Sequence, residues 1–582
     1  MTTSRDTLIN IVFAFLRTQG RRGIILLLCL AALLTGGCAL IRSERTNELN
    51  QYLRAATDIW DFQGSVLVAK EGKVLLAKGY GWADRDFEEP NTEHTRFFIG
   101  SITKQFTAAA ILQLQELGKL SLEDPITKYL PDYPHETGDR ITIHQLLSHT
   151  AGVPNYTEAP EVVINRTREF SPQTLLDVFK DRPLDFEPGT DFHYSNSGYI
   201  ILGAIIERVS GQSYEAYLHR NILKPLGMTN SGYARREAAI PERATGYTLD
   251  SDGNVVEAVT VAFSVLHTAG ALYSTVDDLY KWDQALYRED VLGRKSLEVM
   301  LTPYQAGYSY GWFADSLYGR LHTFHGGFLD GYTTTIDRWV DDGLCVIVLS
   351  NQDEAPVKKM ARALAAIVLG KQYDFPIRKE PRKLKPSLLA QYQGAYRIAD
   401  DLYRLIMLKN DTLYDLVSGF RREKLLPQAK DVFFYDRDNT KIMTFDRNSQ
   451  DSIMGLSVYD ESMLSTAERL NGDEAAAVWV SRDAVELRPE MLDRFTGVYH
   501  LDSDMPETAA DFKLTITRRD NRLFASVADG DRVELFPSSD IELFHQVDDF
   551  SISFTPDDSG VLTDCVLRFG RANVHGHRIS GQ

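Results

Sequence analysis

The stretch FFIGSITKQFTAAAILQLQELGKL, Phe97–Leu120, places a serine and a lysine three residues apart at the predicted start of a helix. Ser101 alone would be a good helix N-cap, which is the simplest interpretation of it. That interpretation leaves Lys104 unexplained, because a capping box needs Glu or Gln there and a cation opposes the helix dipole. The lysine returns to the serine's face of the helix and can take the hydroxyl proton if burial lowers its pKa. The pattern predicts a nucleophile with its base, and Ser101 is the only serine followed by lysine at this spacing.

Two further short motifs each occur once in the chain. Tyr-Ser-Asn (194–196) follows a turn and precedes a predicted helix, and His-Gly-Gly (325–327) stands at the end of a predicted strand. A phenol beside Lys104 can relay protons, whereas the alternative is a loop tyrosine that covers the core. Two glycines let a substrate backbone approach a strand edge, whereas the alternative is a bulge or turn. The three motifs, in this order and spacing, predict one active site.

The predicted elements around these motifs indicate one mixed domain. Two strands, Ser65–Ala69 and Val74–Tyr80, form a predicted hairpin. The other predicted elements are helices at 103–117, 198–209 and 354–368 and strands at 321–324, 333–340 and 345–349. Strands at both ends with helices between them predict a single sheet whose first and last strands meet, packed by a helical region.

The composition changes after this domain. Pro376–Ser387, PIRKEPRKLKPS, is rich in proline and like charge and predicts a linker. Beyond it, short alternating strands contain a repeat, in which YQGAY (392–396) matches FTGVY (495–499) and three further stretches follow in the same order. The repeat predicts a duplicated antiparallel β unit, barrel-like in form. The predicted organisation is an export segment at 1–42, the mixed domain at 43–372, a linker at 373–387 and β units at 388–485 and 486–582.

The first 42 residues have the pattern of an export signal. Arg21 and Arg22 precede an apolar run, Ile24–Leu34, and small residues lead to Cys38. The run is shorter than the ~20 apolar residues that span a bilayer. Thr-Gly-Gly-Cys resembles a bacterial lipoprotein cleavage site, which predicts lipidation of Cys38 and membrane attachment; an uncleaved anchor or an ordinary signal is the alternative. Each interpretation places the rest of the chain outside the cytoplasm, in the cell envelope or periplasm.

Composition argues against several function classes. The formal net charge of -18 argues against a nucleic-acid partner. The four cysteines give neither a disulfide framework nor a zinc spacing. His575 and His577 lack a third ligand, and the chain is predicted to use neither a metal nor a cofactor. His149 and His267 are predicted to be structural. The predicted partner is a small-molecule or peptide substrate, and the oligomeric state stays open.

Together, Ser101-Ile-Thr-Lys104, Tyr194-Ser-Asn196 and His325-Gly-Gly327 resemble the three signatures of the serine β-lactamase-like hydrolases. The Tyr-x-Asn form resembles the branch of class C β-lactamases, penicillin-binding carboxypeptidases, D-aminopeptidases and related esterases. The likeness covers roughly Asp58–Leu369, and the two β units that follow resemble the three-domain D-aminopeptidases. The implied fold is an α/β (α+β) β-lactamase/transpeptidase-like domain, an antiparallel sheet with a helical region, followed by two small antiparallel barrel-like domains.

The resemblance implies an acyl-enzyme mechanism. Ser101 would attack the acyl carbon, and Lys104 and Tyr194 would share the general-base role. The backbone N–H groups of Ser101 and Phe328 would form the oxyanion hole. The residues implied in substrate binding are Asn196, His325, Gly326, Gly327 and Phe328.

One departure from the family pattern bears on the substrate. Most β-lactamases carry Lys-Thr-Gly where this chain has His-Gly-Gly, and a histidine is mostly neutral at pH 7. This favours a D-aminopeptidase-like or esterase-like activity over β-lactamase or carboxypeptidase activity. The prediction is an exported serine hydrolase of small amides or peptides, including those with D-residues. The alternatives are a carboxylesterase and a non-catalytic protein that binds cell-wall peptides, although a binder has no chemical need for Ser101, Lys104 and Tyr194 together.

Overall fold

The structure is a computed structural model, in which the export segment and Cys38 lie outside the described residues. It describes residues 44–582 apart from 160–161, 163–165, 236–238, 250–253, 260, 400–401, 418–422, 437, 461–462, 479–484, 503–512, 528–532, 546–549, 570–571 and 580–582. Within this described part of the chain, no helix combines the length and the apolar character needed to cross a membrane.

The first domain is built on a six-stranded antiparallel sheet. The strands of this domain are β1 (Gly64–Lys70), β2 (Lys73–Tyr80), β3 (Trp82–Asp84), β4 (Glu89–Pro90), β5 (Phe97–Phe98), β6 (Gly232–Tyr233), β7 (Tyr247–Leu249), β8 (Val255–Glu257), β9 (Leu272–Ser274), β10 (Phe313–Leu317), β11 (Arg320–Leu329), β12 (Tyr332–Trp339) and β13 (Leu344–Ser350). The sheet has the order β10-β11-β12-β13-β1-β2. β1 pairs with β13 over its whole length, with Val66 opposite Val348. The first and last strands of the domain therefore meet, as predicted.

Helices cover both faces of this sheet. They are α1 (44–60), α2 (Thr103–Glu116), α3 (His135–Gly138), α4 (Ile143–Leu147), α5 (Pro172–Phe179), α6 (Asn196–Ser210), α7 (Tyr214–Leu218), α8 (Phe263–Gly270), α9 (Val276–Arg288), α10 (Arg294–Leu301) and α11 (Val357–Leu369). Successive residues of β13 point to opposite faces. Ile347 joins the core shared with α2 and α6, whereas Val346 and Val348 join the core under α1 and α11. The larger core encloses α2, whose residues from Thr103 to Leu112 are all buried, Lys104 among them.

Two closed eight-stranded barrels follow the first domain. The first consists of β14 (Gly394–Ala399), β15 (Leu402–Lys409), β16 (Thr412–Val417), β17 (Glu423–Ala429), β18 (Val432–Tyr435), β19 (Ile442–Arg447), β20 (Ile453–Asp460) and β21 (Met463–Arg469). The second consists of β22 (Gly497–Leu501), β23 (Lys513–Arg519), β24 (Arg522–Val527), β25 (Val533–Pro537), β26 (Glu542–Phe544), β27 (Phe550–Pro556), β28 (Leu562–Phe569) and β29 (Ala572–Arg578). The predicted fold class is confirmed.

The two barrels share local details as well as topology. A short helix enters each barrel, α12 (Pro386–Tyr392) and α14 (Pro489–Phe495), while α13 (Gly472–Val478) follows the first barrel. In the first barrel the Tyr396 hydroxyl donates to the Tyr392 carbonyl at 2.8 Å. At the matching place in the second, the Tyr499 hydroxyl donates to the Phe495 carbonyl at 3.2 Å. The repeat seen in the sequence is thus a repeat of structure.

A cluster of ion pairs connects the first barrel to the first domain. Nζ of Lys359, on α11, lies 2.5 Å from Oδ2 of Asp438 and 3.3 Å from Oδ1 of Asp460. The Lys359 side chain is only 11% exposed, so these pairs are largely screened from solvent. Because α11 also packs on the central sheet, the barrel is tied to the element that backs the sheet.

The His-Gly-Gly motif lies inside a strand, not at its end as predicted. β11 continues to Leu329, and Phe328 still pairs with Thr333 of β12. The other neighbour, β10, pairs with β11 only from Arg320 to Phe324. Pairing with β12 outweighs the weak strand preference of two glycines. In the half of β11 that carries the motif, the backbone edge that would continue the pairing with β10 therefore faces the helical region instead.

His322, on the same strand, is clamped between two carboxylates. Its Nδ1 lies 2.9 Å from Oδ1 of Asp315, and its Nε2 lies 2.9 Å from Oδ1 of Asp337. The ring is stacked between Phe324 and Trp339, with centroids 4.7 and 4.4 Å away. Burial by itself would lower the pKa of His322, but the hydrogen bonds and charges of the two carboxylates outweigh it, and the pKa is raised.

This clamp predicts a pH-dependent contribution to stability. A pKa raised by folding means that protonated His322 stabilises the domain fully below the unfolded value of about 6.5, and that this is lost as pH rises through the folded-state pKa. We expect His322→Gln to cost about 2 kcal/mol at pH 6. Calorimetric melting of the variant and the wild type should then show a smaller difference at pH 9. An equal difference at both pH values would contradict a role for the protonated ring.

Candidate active site

Ser101 does not cap α2. The helix begins at Thr103, its N-cap is Ile102, and no side chain caps it. Ser101 lies in a single 3-10 turn, Gly100–Ile102, directly before α2. The hydroxyl therefore has no capping role and faces Lys104.

The Lys104 amine has three contacts and no exposure to solvent. Nζ lies 2.8 Å from Oδ1 of Asn196, 2.9 Å from the carbonyl oxygen of Ala269 and 3.1 Å from Oγ of Ser101. The two carbonyl-type oxygens only accept hydrogen bonds, so the amine donates to both. Burial lowers the pKa of Lys104 well below its ordinary value, which favours the neutral amine. A neutral amine that donates to both of these oxygens has its lone pair left to accept from the Ser101 hydroxyl.

Tyr194 lies close to both Lys104 and Ser101. Lys104 Nζ is 5.0 Å from the centroid of the Tyr194 ring, and the phenol is close enough to Ser101 for the serine to affect its pKa. Burial raises the pKa of Tyr194 above its ordinary value, and the hydrogen bond to Ser101 acts in the opposite direction. The phenol therefore carries its proton at neutral pH and is placed to pass one on, not to stand as a phenolate.

Asn196 is the first residue of α6, and both ends of its side-chain amide are used within the protein. Oδ1 accepts from Lys104, and Nδ2 donates to Oγ1 of Thr157 at 3.2 Å. Its backbone N–H donates to Oδ1 of Asn155 at 3.1 Å. These bonds turn the amide oxygen toward the lysine, so Asn196 orients the amine directly.

His325 is held in one neutral form. Its Nδ1 lies 2.7 Å from the Gly326 carbonyl oxygen, which only accepts, so Nδ1 carries the proton. Its Nε2 lies 3.2 Å from the Tyr308 hydroxyl and accepts from it. Burial lowers the pKa of His325 to about 3, with the charge of Lys104 adding to the effect. The motif therefore brings no fixed positive charge where Lys-Thr-Gly would bring one.

Two glycines let the Ser101 turn touch β11. Gly100 has a left-handed φ of 52°, and a Cβ there would lie 2.9 Å from the backbone nitrogen of Phe328. A Cβ on Gly327 would lie 2.0 Å from the Ile99 carbonyl oxygen. Only glycine permits this approach at either place. It brings the backbone nitrogen of Phe328 beside the turn that carries Ser101, while the Phe328 ring is 64% exposed.

Three further groups complete the site, and the sequence motifs did not predict their roles. The Ala269 carbonyl binds Lys104, and a backbone acceptor leaves no pattern of side chains. Tyr308 holds His325 from a loop, through a contact that only the fold creates. His149, predicted to be structural, is buried with its ring centroid 4.3 Å from that of Tyr194. His267, by contrast, places Nδ1 2.7 Å from the Tyr233 hydroxyl.

The predicted site residues other than Cys38 thus come together between α2, α6 and β11. Among the residues that the structure describes, no three His, Cys, Asp or Glu side chains are grouped so as to hold a metal ion. Nδ1 of His577 lies 2.5 Å from Oδ1 of Asp564.

Comparisons with known proteins agree with this arrangement. The family model described as Beta-lactamase matches residues 54–369. Penicillin-binding protein 4* of Bacillus subtilis (strain 168) is 30% identical over 428 residues, which cover 68% of this chain and 92% of that protein. Putative penicillin-binding protein PbpX of the same organism is 34% identical over 260 residues, covering 45% of this chain and 63% of that protein. The solved structure of an octameric penicillin-binding protein homologue from Pyrococcus abyssi is 27% identical, with a TM-score of 0.52 over 73% of this chain and 98% of that one.

The family match spans more than half of the chain, and it includes every motif of the site. The alignments with the first Bacillus protein and the Pyrococcus structure are longer than the family match, so they reach beyond the first domain. The chain belongs to the beta-lactamase family of hydrolases.

Proposed function

We propose that the protein is a serine hydrolase that cleaves small amides or peptides, those with D-residues included, through an acyl-enzyme. One observation carries this proposal: Nζ of the buried Lys104 lies 3.1 Å from Oγ of Ser101, and its two other hydrogen-bond partners are the carbonyl-type oxygens of Asn196 and Ala269. A lysine in that state is a base, and a serine beside it is an activated nucleophile. A protein that only binds a peptide would gain nothing from desolvating an amine next to a serine.

In the proposed first step, Oγ of Ser101 attacks the substrate carbonyl carbon while its proton passes to Nζ of Lys104. The backbone N–H groups of Ser101 and Phe328 would hold the negative oxygen. The bond to the leaving amine then breaks, and the proton reaches that amine through Tyr194. A water deprotonated by the same two side chains attacks the acyl carbon and releases the acid product and Ser101. Lys104 and Tyr194 act as a coupled pair, so the proton belongs to the pair.

The neutral His325 supports the substrate class. Burial lowers the pKa of His325 to about 3, so the histidine of the motif is neutral and supplies no cation at neutral pH. Such a site binds a substrate carboxylate beside the scissile bond less strongly than a β-lactamase site does. The exposed Phe328 ring offers apolar contact at the rim. The barrels that follow the first domain match a D-aminopeptidase-like organisation and support amides of small amino-acid derivatives.

We also propose that the protein works outside the cytoplasm, attached to the cell envelope through a lipidated Cys38. The signal pattern of residues 1–42 supports export, and the names of the penicillin-binding relatives fit an envelope enzyme. The partner in this proposal is a small-molecule or peptide substrate and not a nucleic acid.

The nucleophile is tested by covalent labelling. A fluorophosphonate probe should add a single adduct that peptide mapping assigns to Ser101, because an activated serine hydroxyl attacks phosphorus as it attacks an acyl carbon. Intact-protein mass spectrometry measures the adduct, and Ser101→Ala should show none. A panel of D- and L-aminoacyl amides, esters and β-lactams then ranks the substrates. A folded protein that forms no adduct with either a fluorophosphonate or a β-lactam would support the binding function instead.

The base is tested through its charge. Lys104→Arg places a group that stays protonated beside the serine, and we expect kcat/KM to fall about 100-fold or more. In the wild type, kcat/KM should rise with pH as Lys104 loses its proton, and fall as pH drops below the lowered pKa. A pH–rate profile measures both effects. Lys119→Arg, the same exchange at an exposed position, is the control. An arginine variant with nearly full activity would exclude Lys104 as the base.

The close approach of β11 to the serine turn is tested at two adjacent glycines. Gly327→Ala would place a Cβ 2.0 Å from a backbone oxygen, so the strand must move away from Ser101. Gly326→Ala would meet the side chain of Lys358 at 3.2 Å and a backbone oxygen at 3.3 Å, which small shifts relieve. We expect Gly327→Ala to lower kcat about 100-fold and Gly326→Ala much less. Equal losses in steady-state kinetics would contradict the steric account.

A further inference from the structure

His149 brackets Tyr194 with two hydrogen bonds. The backbone N–H of His193 donates to the His149 carbonyl oxygen at 3.0 Å. The backbone N–H of Ser195 donates to Nδ1 of the His149 ring at 3.2 Å. One residue thus binds the chain immediately before and immediately after the tyrosine. Tyr194 itself belongs to no helix or strand, so these bonds and the start of α6 at Asn196 determine where it stands.

His149 follows the end of α4 and has a left-handed backbone conformation that is compatible with this double contact. Its φ is 58°, in the left-handed region that residues other than glycine and asparagine seldom adopt. This backbone turn directs the carbonyl and the side chain of one residue to the same neighbouring segment. The same turn ends α4, because the Thr150 N–H donates to the Gln145 carbonyl at 2.9 Å and the His149 N–H to the Leu146 carbonyl at 3.4 Å, the pattern of a Schellman cap.

The ring also packs directly on the catalytic aromatic group. Its centroid lies 4.3 Å from that of Tyr194 and 4.6 Å from that of Tyr308. Because Nδ1 accepts from Ser195, the ring is neutral with its proton on Nε2. Burial lowers the pKa of His149 well below its ordinary value, which keeps the acceptor available. Nε2 has no hydrogen-bond partner among the described residues, so the buried ring makes its polar contact through Nδ1 alone.

We propose that His149 is a positioning residue that sets the Tyr194 phenol against Ser101, a role that rests on the proposed catalytic function of Tyr194. Two features carry this proposal beyond ordinary packing. The two hydrogen bonds flank the tyrosine and no other residue of the loop, and the ring that accepts one of them touches the tyrosine ring. A small displacement of a catalytic group can cost about 100-fold in rate.

The chain allows the acceptor and the ring to be separated. In His149→Asn, Oδ1 takes the place of Nδ1, and asparagine tolerates the left-handed backbone. In His149→Phe, the ring contact stays and the acceptor is lost. His149→Ala loses both without a possible clash and replaces the phenylalanine variant if that variant does not fold. Mass spectrometry measures the rate at which a fluorophosphonate modifies Ser101. The dependence of this rate on probe concentration gives a maximal rate and a half-saturating concentration.

We expect His149→Phe to lower the maximal rate about tenfold to 100-fold with little change in the half-saturating concentration. His149→Asn should retain the rate within about threefold, and both should melt close to the wild type. In a Tyr194→Phe background, the loss caused by His149→Phe should shrink to less than about twofold, because the group it positions is gone. An asparagine variant as slow as the phenylalanine variant, or losses that multiply in the double variant, would overturn the proposal.

The same series separates this inference from the proposed function. If Tyr194→Phe alone leaves the labelling rate unchanged, the catalytic function of Tyr194 is wrong, and the positioning role falls with it. If Tyr194→Phe slows labelling while His149→Phe does not, the proposed function stands and the role of His149 is wrong.

Discussion

The removal of one lysine amine from water is the constraint on which the site depends. Lys104 has three contacts, and they come from three separate parts of the chain: the Ser101 turn, the start of α6 and the end of α8. A charged ammonium at this place would lose its hydration, and none of the three groups that contact it carries a negative charge. A neutral amine needs two acceptors and one donor, which these three groups supply. The packing of the helical region therefore decides the protonation state of the base, and the chemistry follows from it.

The second requirement is that this helical region meet the sheet at van der Waals distance. The edge of β11 beyond Phe324 is left by β10, and the turn of Gly100–Ile102 lies against it. Thr334, on the neighbouring strand, donates from Oγ1 to the Ile99 carbonyl oxygen at 3.1 Å. The sheet and the turn are thus joined by this hydrogen bond and by the close backbone contacts at Gly100 and Gly327. The nucleophile belongs to the helical region. Of the two proposed oxyanion donors, the Ser101 N–H belongs to the helical region and the Phe328 N–H to the sheet, so neither part holds a complete site alone.

Much of this arrangement could be predicted from residue types and spacing. The closure of the sheet followed from strands at both ends of the domain, and the barrels followed from the repeat around Tyr396 and Tyr499. The pairing of Ser101 with Lys104 followed from helical spacing. What spacing could not reveal depends on tertiary contact. Ser101 lies in a 3-10 turn because Gly100 must reach β11, and β11 runs through two glycines because β12 pairs with it. The Ala269 acceptor and the roles of Tyr308 and His149 exist only where distant segments meet.

Three titratable groups in this pocket are each shifted toward neutrality, and this has a consequence for the path of the proton. Burial is the main cause for Lys104, His149 and His325, and a charge on Lys104 would lower the pKa of both histidines further. Each histidine also uses its unprotonated nitrogen to accept a hydrogen bond, from Ser195 in one case and from Tyr308 in the other. Protonating either ring would break that bond and place a charge in the buried pocket. Lys104 instead contacts Ser101 itself, so the proton that it takes is the one that the serine gives up. The proton that leaves Ser101 therefore passes to Lys104 and Tyr194. His149 and His325 remain neutral, because they are unfavourable proton acceptors.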